Sequence, residues 1–390
     1  MTATMPMMAI SGGEAMTGLL DVDRLHSVGV VVRDLEAATL RYAEIFGIDE
    51  WDVHDYGPDR LTDVNSHGRP TTPTFRTATG TTVPPSGQAI AMRDGVAVPV
   101  TFELVQPLKG ESPFQEFRFA RGQGISHLTL AVHDAAEFGV LRDRLEKKGI
   151  PIAASMTVDG LLERHFLDTR AALGGYLIEV RVPRQRDAGD ERVVTEHWNH
   201  SGRYTRPAGV GPVKVEGVNH FGVVVNDVMK SIEQYNDLLG MGRWDIRTWR
   251  PELGLLEGAY YRDEPVNHEY FTGLAPMQDF GFEIIQPTLG PSHYNREFRD
   301  LLGEGVHHML LNVTTDVGEW NSVRDWLKSI DVPVAMGADL LKGAAHFCYY
   351  DTSEALGGYI LEAVLMKDHP DESVASPDFV IDFATLASGG

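Results

Sequence analysis

Two histidines and two glutamates stand where a soluble chain ordinarily keeps apolar side chains. His220 opens the run His220-Phe221-Gly222-Val223-Val224-Val225, and Glu283 interrupts Gly281-Phe282-Glu283-Ile284-Ile285. His308 starts His308-Met309-Leu310-Leu311, and Glu362 lies inside Tyr359-Ile360-Leu361-Glu362-Ala363-Val364. A carboxylate in an apolar strand costs several kcal/mol unless it is paired or holds a cation. A single strand-starting histidine is ordinarily a hydrogen-bonded core residue. These residue types at four equivalent strand positions point instead to one divalent ion. The set of two imidazoles and two carboxylates suits Fe, Mn, Co, Ni or Zn better than copper. The lone cysteine, Cys348, excludes a disulfide within the chain and a thiolate pair, and reads as a buried small hydrophobe.

The positions are equivalent because the chain repeats itself. Ser27 to Leu35 matches His220 to Val228, and a tyrosine follows each aspartate by eight residues (Asp34 and Tyr42, Asp227 and Tyr235). Phe102-Glu103-Leu104-Val105-Gln106-Pro107 matches Phe282-Glu283-Ile284-Ile285-Gln286-Pro287, and Gly124-Ile125-Ser126-His127 matches Gly305-Val306-His307-His308. Leu173-Gly174-Gly175-Tyr176 with Glu179 matches Leu356-Gly357-Gly358-Tyr359 with Glu362. The β-branched runs 28–32, 127–132, 221–225 and 309–313 read as buried strands. Residues 34–46, 134–148, 227–239 and 317–330 read as amphipathic helices, with Asp34 and Asp227 suited to cap two of them. The unit is strand–helix–strand–strand–strand, present four times. The expected fold is α+β, with four βαβββ units forming two cup-shaped modules of mixed sheet.

The boundaries read as an N-terminal extension 1–21, a first module 22–183, a connector 184–213, a second module 214–366 and a C-terminal tail 367–390, with 1–18 mobile. Residues two apart share a strand face. His220 is therefore expected on the face of Gly222 and Val224, and His308 on that of Leu310 and Asn312, with His307 opposite. In the first module Ser27 falls where His220 stands, while Glu103, His127 and Glu179 remain. That module reads as a degenerate, structural one, with a three-ligand site left open. His346 and Tyr350 share a face and are candidate acid–base groups if that face is the cup. His268, Tyr270, His293 and Tyr294 fall near the cup mouth by topology.

Lys and Arg total 34 against 56 Asp and Glu, a formal charge of −22. That balance disfavours nucleic acid and anionic membrane surfaces as partners. The apolar runs are too short to span a bilayer, and the first twenty residues lack a basic n-region. A small-molecule substrate and a cytoplasmic setting are expected, with homo-oligomers left open.

These motifs resemble the vicinal oxygen chelate superfamily, which includes glyoxalase I, methylmalonyl-CoA epimerase, extradiol dioxygenases and bleomycin-resistance proteins. The resemblance spans about 22–183 and 216–366. It rests on His-x-Gly-Val-Val-Val-x-Asp at His220, Phe-Glu-Ile-Ile-Gln-Pro at Glu283, Gly-x-His-His at His308 and Leu-Gly-Gly-x-x-x-Glu ending at Glu362. It implies a metal bound by His220, Glu283, His308 and Glu362. Four protein ligands resemble the isomerase and lyase branch, in which Glu283 or Glu362 moves a proton next to a metal-bound carbonyl. The alternatives are an Fe(II) extradiol dioxygenase using His220, His308 and Glu362, and a metal-free binding or resistance protein. The four-unit length and a metal site surviving only in the second module favour the dioxygenase, and the intact set of two histidines and two glutamates argues against the binding protein.

Overall fold

The computed structural model describes residues 18–22, 24–184, 192–370 and 372–388; the mobile start expected at 1–18 lies outside them, Gly18 apart. Four helices, Leu35–Phe46, Ala135–Lys148, Val228–Leu239 and Val317–Ser329, mark the four units. Each begins on an aspartate (Asp34, Asp134, Asp227 or Asp316) whose carboxylate accepts from first-turn amides. Two of these caps were not read in the sequence.

The first sheet comprises β1 (Ser27–Val31), β2 (Glu50–Tyr56), β3 (Leu61–Ser66), β4 (Arg69–Pro70), β5 (Thr74–Thr81), β6 (Thr101–Lys109), β7 (Gly124–Val132), β8 (Ile152–Val158), β9 (Leu162–Leu167), β10 (Leu177–Pro183) and β11 (Glu196–Asn199). Its order is β11-β2-β5-β6-β1-β7-β10-β9-β8-β3-β4. The second comprises β12 (His220–Val224), β13 (Arg243–Trp249), β14 (Leu256–Tyr261), β15 (Glu264–Pro265), β16 (Glu269–Pro276), β17 (Gly281–Leu289), β18 (Gly305–Thr314), β19 (Val334–Leu340), β20 (Ala345–Tyr350), β21 (Ile360–Met366) and β22 (Phe379–Asp382). Its order is β15-β14-β19-β20-β21-β18-β12-β17-β16-β13-β22. The α+β fold of two curled mixed sheets is the one expected.

Two features depart from the simple unit. The first unit of each module inserts a hairpin, β3–β4 or β14–β15, which crosses to pair with β8 or β19 and extends the curl. The segment after each module adds an edge strand: β11 pairs with β2, and β22 with β13. Within the segment expected as a tail, residues 379–382 therefore close an edge that would otherwise expose unpaired backbone groups.

The two modules share one apolar cluster. Val30, Tyr42 and Phe102 from the first join Phe221, Tyr235 and Phe282 from the second, each fully buried. Side chains of this size contribute roughly 1.5–3 kcal/mol each on burial. Two tyrosine pairs bridge the modules: Tyr42 to Tyr359 at 2.9 Å, and Tyr176 to Tyr235 at 3.0 Å between hydroxyls. The Leu-Gly-Gly turns explain themselves here. A Cβ on Gly175 would lie 2.2 Å from the Glu304 carbonyl oxygen, and one on Gly358 would lie 2.3 Å from that of Gln123. No helix among the described residues is long and apolar enough to cross a membrane.

Candidate metal centre

Strands β12, β17, β18 and β21 lie side by side at the middle of the second sheet. Gly222 pairs with both Glu283 and His308, and Leu310 pairs with both His220 and Glu362. This register brings the four side chains to one point of the cup. His220 Nε2 lies 3.0 Å from Glu362 Oε2 and 3.6 Å from Glu283 Oε2. His308 Nε2 lies 3.3 and 3.5 Å from the same oxygens, and the two Nε2 atoms are 3.4 Å apart. Bonds of about 2.1 Å place neighbouring donors roughly 3.0 Å apart around an octahedral ion and roughly 3.4 Å apart around a tetrahedral one. The donor set therefore fits a divalent ion. Gly222 makes room for the His308 ring, which a Cβ there would meet at 2.0 Å.

Electrostatics agree. The ion-pair partners of Glu283 and Glu362 are the two histidines. Burial opposes ionisation of Glu362, but bonds to His220 and His308 outweigh it and hold the carboxyl at about 2. Burial likewise disfavours the His308 cation, and the two glutamates overcome it, lifting the imidazole to about 9. Two carboxylates thus draw positive charge into a buried point. Three tyrosines stand beside them. Burial and the charges of Glu283 and Glu362 push Tyr270, Tyr294 and Tyr349 well up, so they remain neutral hydroxyl donors. Tyr294 and Tyr349 are hydrogen-bonded through their hydroxyls, and the Tyr349 ring packs 4.7 Å from that of His308.

The matching point of the first module does not fit an ion. Glu103, His127 and Glu179 converge, with His127 Nε2 3.7 and 3.8 Å from the two carboxylates. However, the Arg164 guanidinium donates to Glu103 at 2.6 and 3.1 Å and also to Glu179, with all three side chains fully buried. Arg181 and Arg192 add further bonds to Glu103. Ser27 occupies the His220 position and bonds to Thr129 at 2.8 Å. In the second module Phe347 and Val364 are cross-strand partners, as Arg164 and Arg181 are in the first. A third group, His293, Glu297 and Asp351, is likewise supplied with a guanidinium, because Arg262 pairs with both carboxylates.

Other sequence candidates move. His346 and Tyr350 do not face the cup: His346 bonds to Asp339 at 2.7 Å and packs on Trp320, while Tyr350 belongs to the shared core on the helix side. Register is the reason, since Tyr349 and not Tyr350 lies opposite Glu362. A bulge between Leu310 and Val313 turns Asn312 away from the His308 face. A second bulge, at His307, lays that ring against His308 and Tyr349 instead of on the opposite face. Tyr270 and Tyr294 do line the cup. His268 is buried with neither ring nitrogen hydrogen-bonded among the described residues, and His293 bonds to His307 at 2.8 Å. Cys348 is buried, its thiol pushed up to about 12.

Residues 26–167 match the family model described as the glyoxalase, bleomycin resistance protein and dioxygenase superfamily. No curated protein sequence matches the chain. Among solved structures, a variant of 4-hydroxymandelate synthase from Streptomyces coelicolor is 12% identical, covering 94% of this chain and 96% of its own, with a TM-score of 0.47. Methylmalonyl-CoA epimerase from Mycobacterium tuberculosis is 22% identical, covering 44% of this chain and 93% of its own, with a TM-score of 0.28. The epimerase from Streptomyces coelicolor, bound to 2-nitronate-propionyl-CoA, is 17% identical over 42% of this chain and 100% of its own, with a TM-score of 0.27. The family match thus falls on the first module, and the second module repeats the first's strand order.

Proposed function

We propose that the chain is a metal-dependent enzyme that moves a proton next to a carbonyl group of a small organic substrate, as an epimerase, isomerase or lyase does. The observation that carries this reading is the convergence of four donors, with a second carboxylate, Glu283, beyond what a two-histidine, one-carboxylate site needs. A divalent ion held by His220, Glu283, His308 and Glu362 would polarise the carbonyl and acidify the adjacent C–H.

Within that site the two glutamates differ. Glu362 sits close to both histidines and is held at about 2, which makes it a weak base and a firm ligand. Glu283 lies farther from them, at 3.5 and 3.6 Å, and is the more exposed of the two. Glu283 is the group we assign to proton transfer. Tyr270, Tyr294 and Tyr349 would donate hydrogen bonds to the oxygen that gains charge. Val224, Leu310 and Ile360 give the cup an apolar wall that limits water. The enzyme is read as cytoplasmic.

One observation favours a second reading. The donors of His220, His308 and Glu362 form the tighter group, at 3.0–3.4 Å, as a two-histidine, one-carboxylate Fe(II) site of an extradiol dioxygenase would. Metal analysis of chain purified without chelator, with deuterium wash-in from D2O across oxo acids and thioesters, tests the choice. Wash-in next to the carbonyl should fall at least about 100-fold in Glu283→Gln with metal retained. Iron together with oxygen uptake on a catechol would overturn proton transfer in favour of ring cleavage.

A further inference from the structure

The residue before each site histidine bonds to that histidine from behind. Asn219 Oδ1 lies 2.8 Å from His220 Nδ1, and His307 Nδ1 lies 3.0 Å from His308 Nδ1. In the first module Ser126 Oγ lies 2.9 Å from His127 Nδ1. At His220 the arrangement reaches into the other module. The first-module loop 82–100 seats on the second, with Ala91 buried among the residues of the second cup, including Val224 and Leu310. The Ala91 amide donates to Glu216 Oε2 at 2.6 Å, and the Val98 amide to the Glu216 carbonyl at 2.8 Å. Asn219 Nδ2 donates to the Ala91 carbonyl.

A backbone carbonyl only accepts, so the amide NH2 of Asn219 faces Ala91 and its oxygen faces His220. That oxygen only accepts, so His220 Nδ1 carries the hydrogen. In a neutral imidazole this leaves the lone pair on Nε2, the atom aimed at Glu283, Glu362 and His308. We propose that Asn219 and the first-module loop at Ala91 are positioning elements that select the ligating tautomer of His220. The first module, with Arg164 at its own centre, thereby serves the second. This rests on the metal reading above.

The test uses the full chain loaded with Co(II), reading visible absorption and the dissociation constant against a competing chelator. Asn219→Leu should weaken Co(II) by about 10–100-fold and alter the absorption band. Asn219→Ser should recover most of the loss, as a serine serves His127. Glu216→Ala, which removes the side-chain hold on the Ala91 amide without touching Asn219, should weaken binding in the same direction. Asn219→Leu binding within about twofold of wild type, or Ser no better than Leu, overturns the positioning role. A wild-type chain that takes up no Co(II) overturns the metal reading itself, a separate failure.

Discussion

Arg164 shows how a buried pair of carboxylates can be satisfied without an ion. Its guanidinium reaches Glu103 and Glu179 from a strand position that holds Phe347 in the second module. Among the described residues no arginine pairs with the second module's two carboxylates, whose ion-pair partners are the imidazoles of His220 and His308. The chain should therefore carry one equivalent of divalent metal, measured by elemental analysis, and His308→Ala should carry none; an equivalent left in that variant would place an ion in the first module. Arg164→Met removes the guanidinium shared by the two buried carboxylates and should cost about 3–5 kcal/mol in urea denaturation. At this scale the sequence shows the four donors, because carboxylates and histidines stand out in apolar runs. It hides Tyr349, because strand parity after a turn depends on register, and it hides the bulges that move His307 and Asn312.

Glycine in the first strand of each module is the element-level counterpart. A Cβ at Gly222 would meet the His308 ring, and one at Gly29 would meet the His127 ring, each at 2.0 Å. Both substitutions should destabilise by about 1–3 kcal/mol, since the ring must move against a packed strand. Only Gly222→Ala should also lower metal affinity, because only there does the displaced imidazole belong to the four-donor cluster proposed to hold the ion; equal loss in Gly29→Ala would contradict that. The strands and helices themselves were legible, since apolar runs ending in aspartate state both the strand and the cap that follows. The inserted hairpins 61–70 and 256–265 and the edge strands β11 and β22 were not. They are short and partly exposed: β3 and β11 carry no apolar run, and that of β22 is only the three residues Phe379-Val380-Ile381.

Across the whole molecule, the shared core and the tyrosine pairs tie the two modules into one cooperative unit, so acid stress on one side is felt by both. His268 is fully buried without a hydrogen-bond partner among the described residues, and burial pushes it from 6.5 down to about 4. Burial also holds His293 and His307 below the ordinary imidazole range. Unfolding restores the ordinary value, so between about pH 6.5 and 4 the unfolded chain binds protons that the native chain does not. Stability must then fall as pH drops through that window, by up to about 1.4 kcal/mol per pH unit for each such histidine. Glu103 and Glu179 act lower down. Their arginines outweigh burial and hold them below the usual 4.5, so the stability they add is present above that value and is lost on further acidification. Calorimetry from pH 7 to pH 5 should show a single transition moving to lower temperature. His268→Phe, which keeps the volume and removes the proton site, should flatten the slope; a transition that splits in two would mean that the modules unfold separately and that the shared core does not couple them.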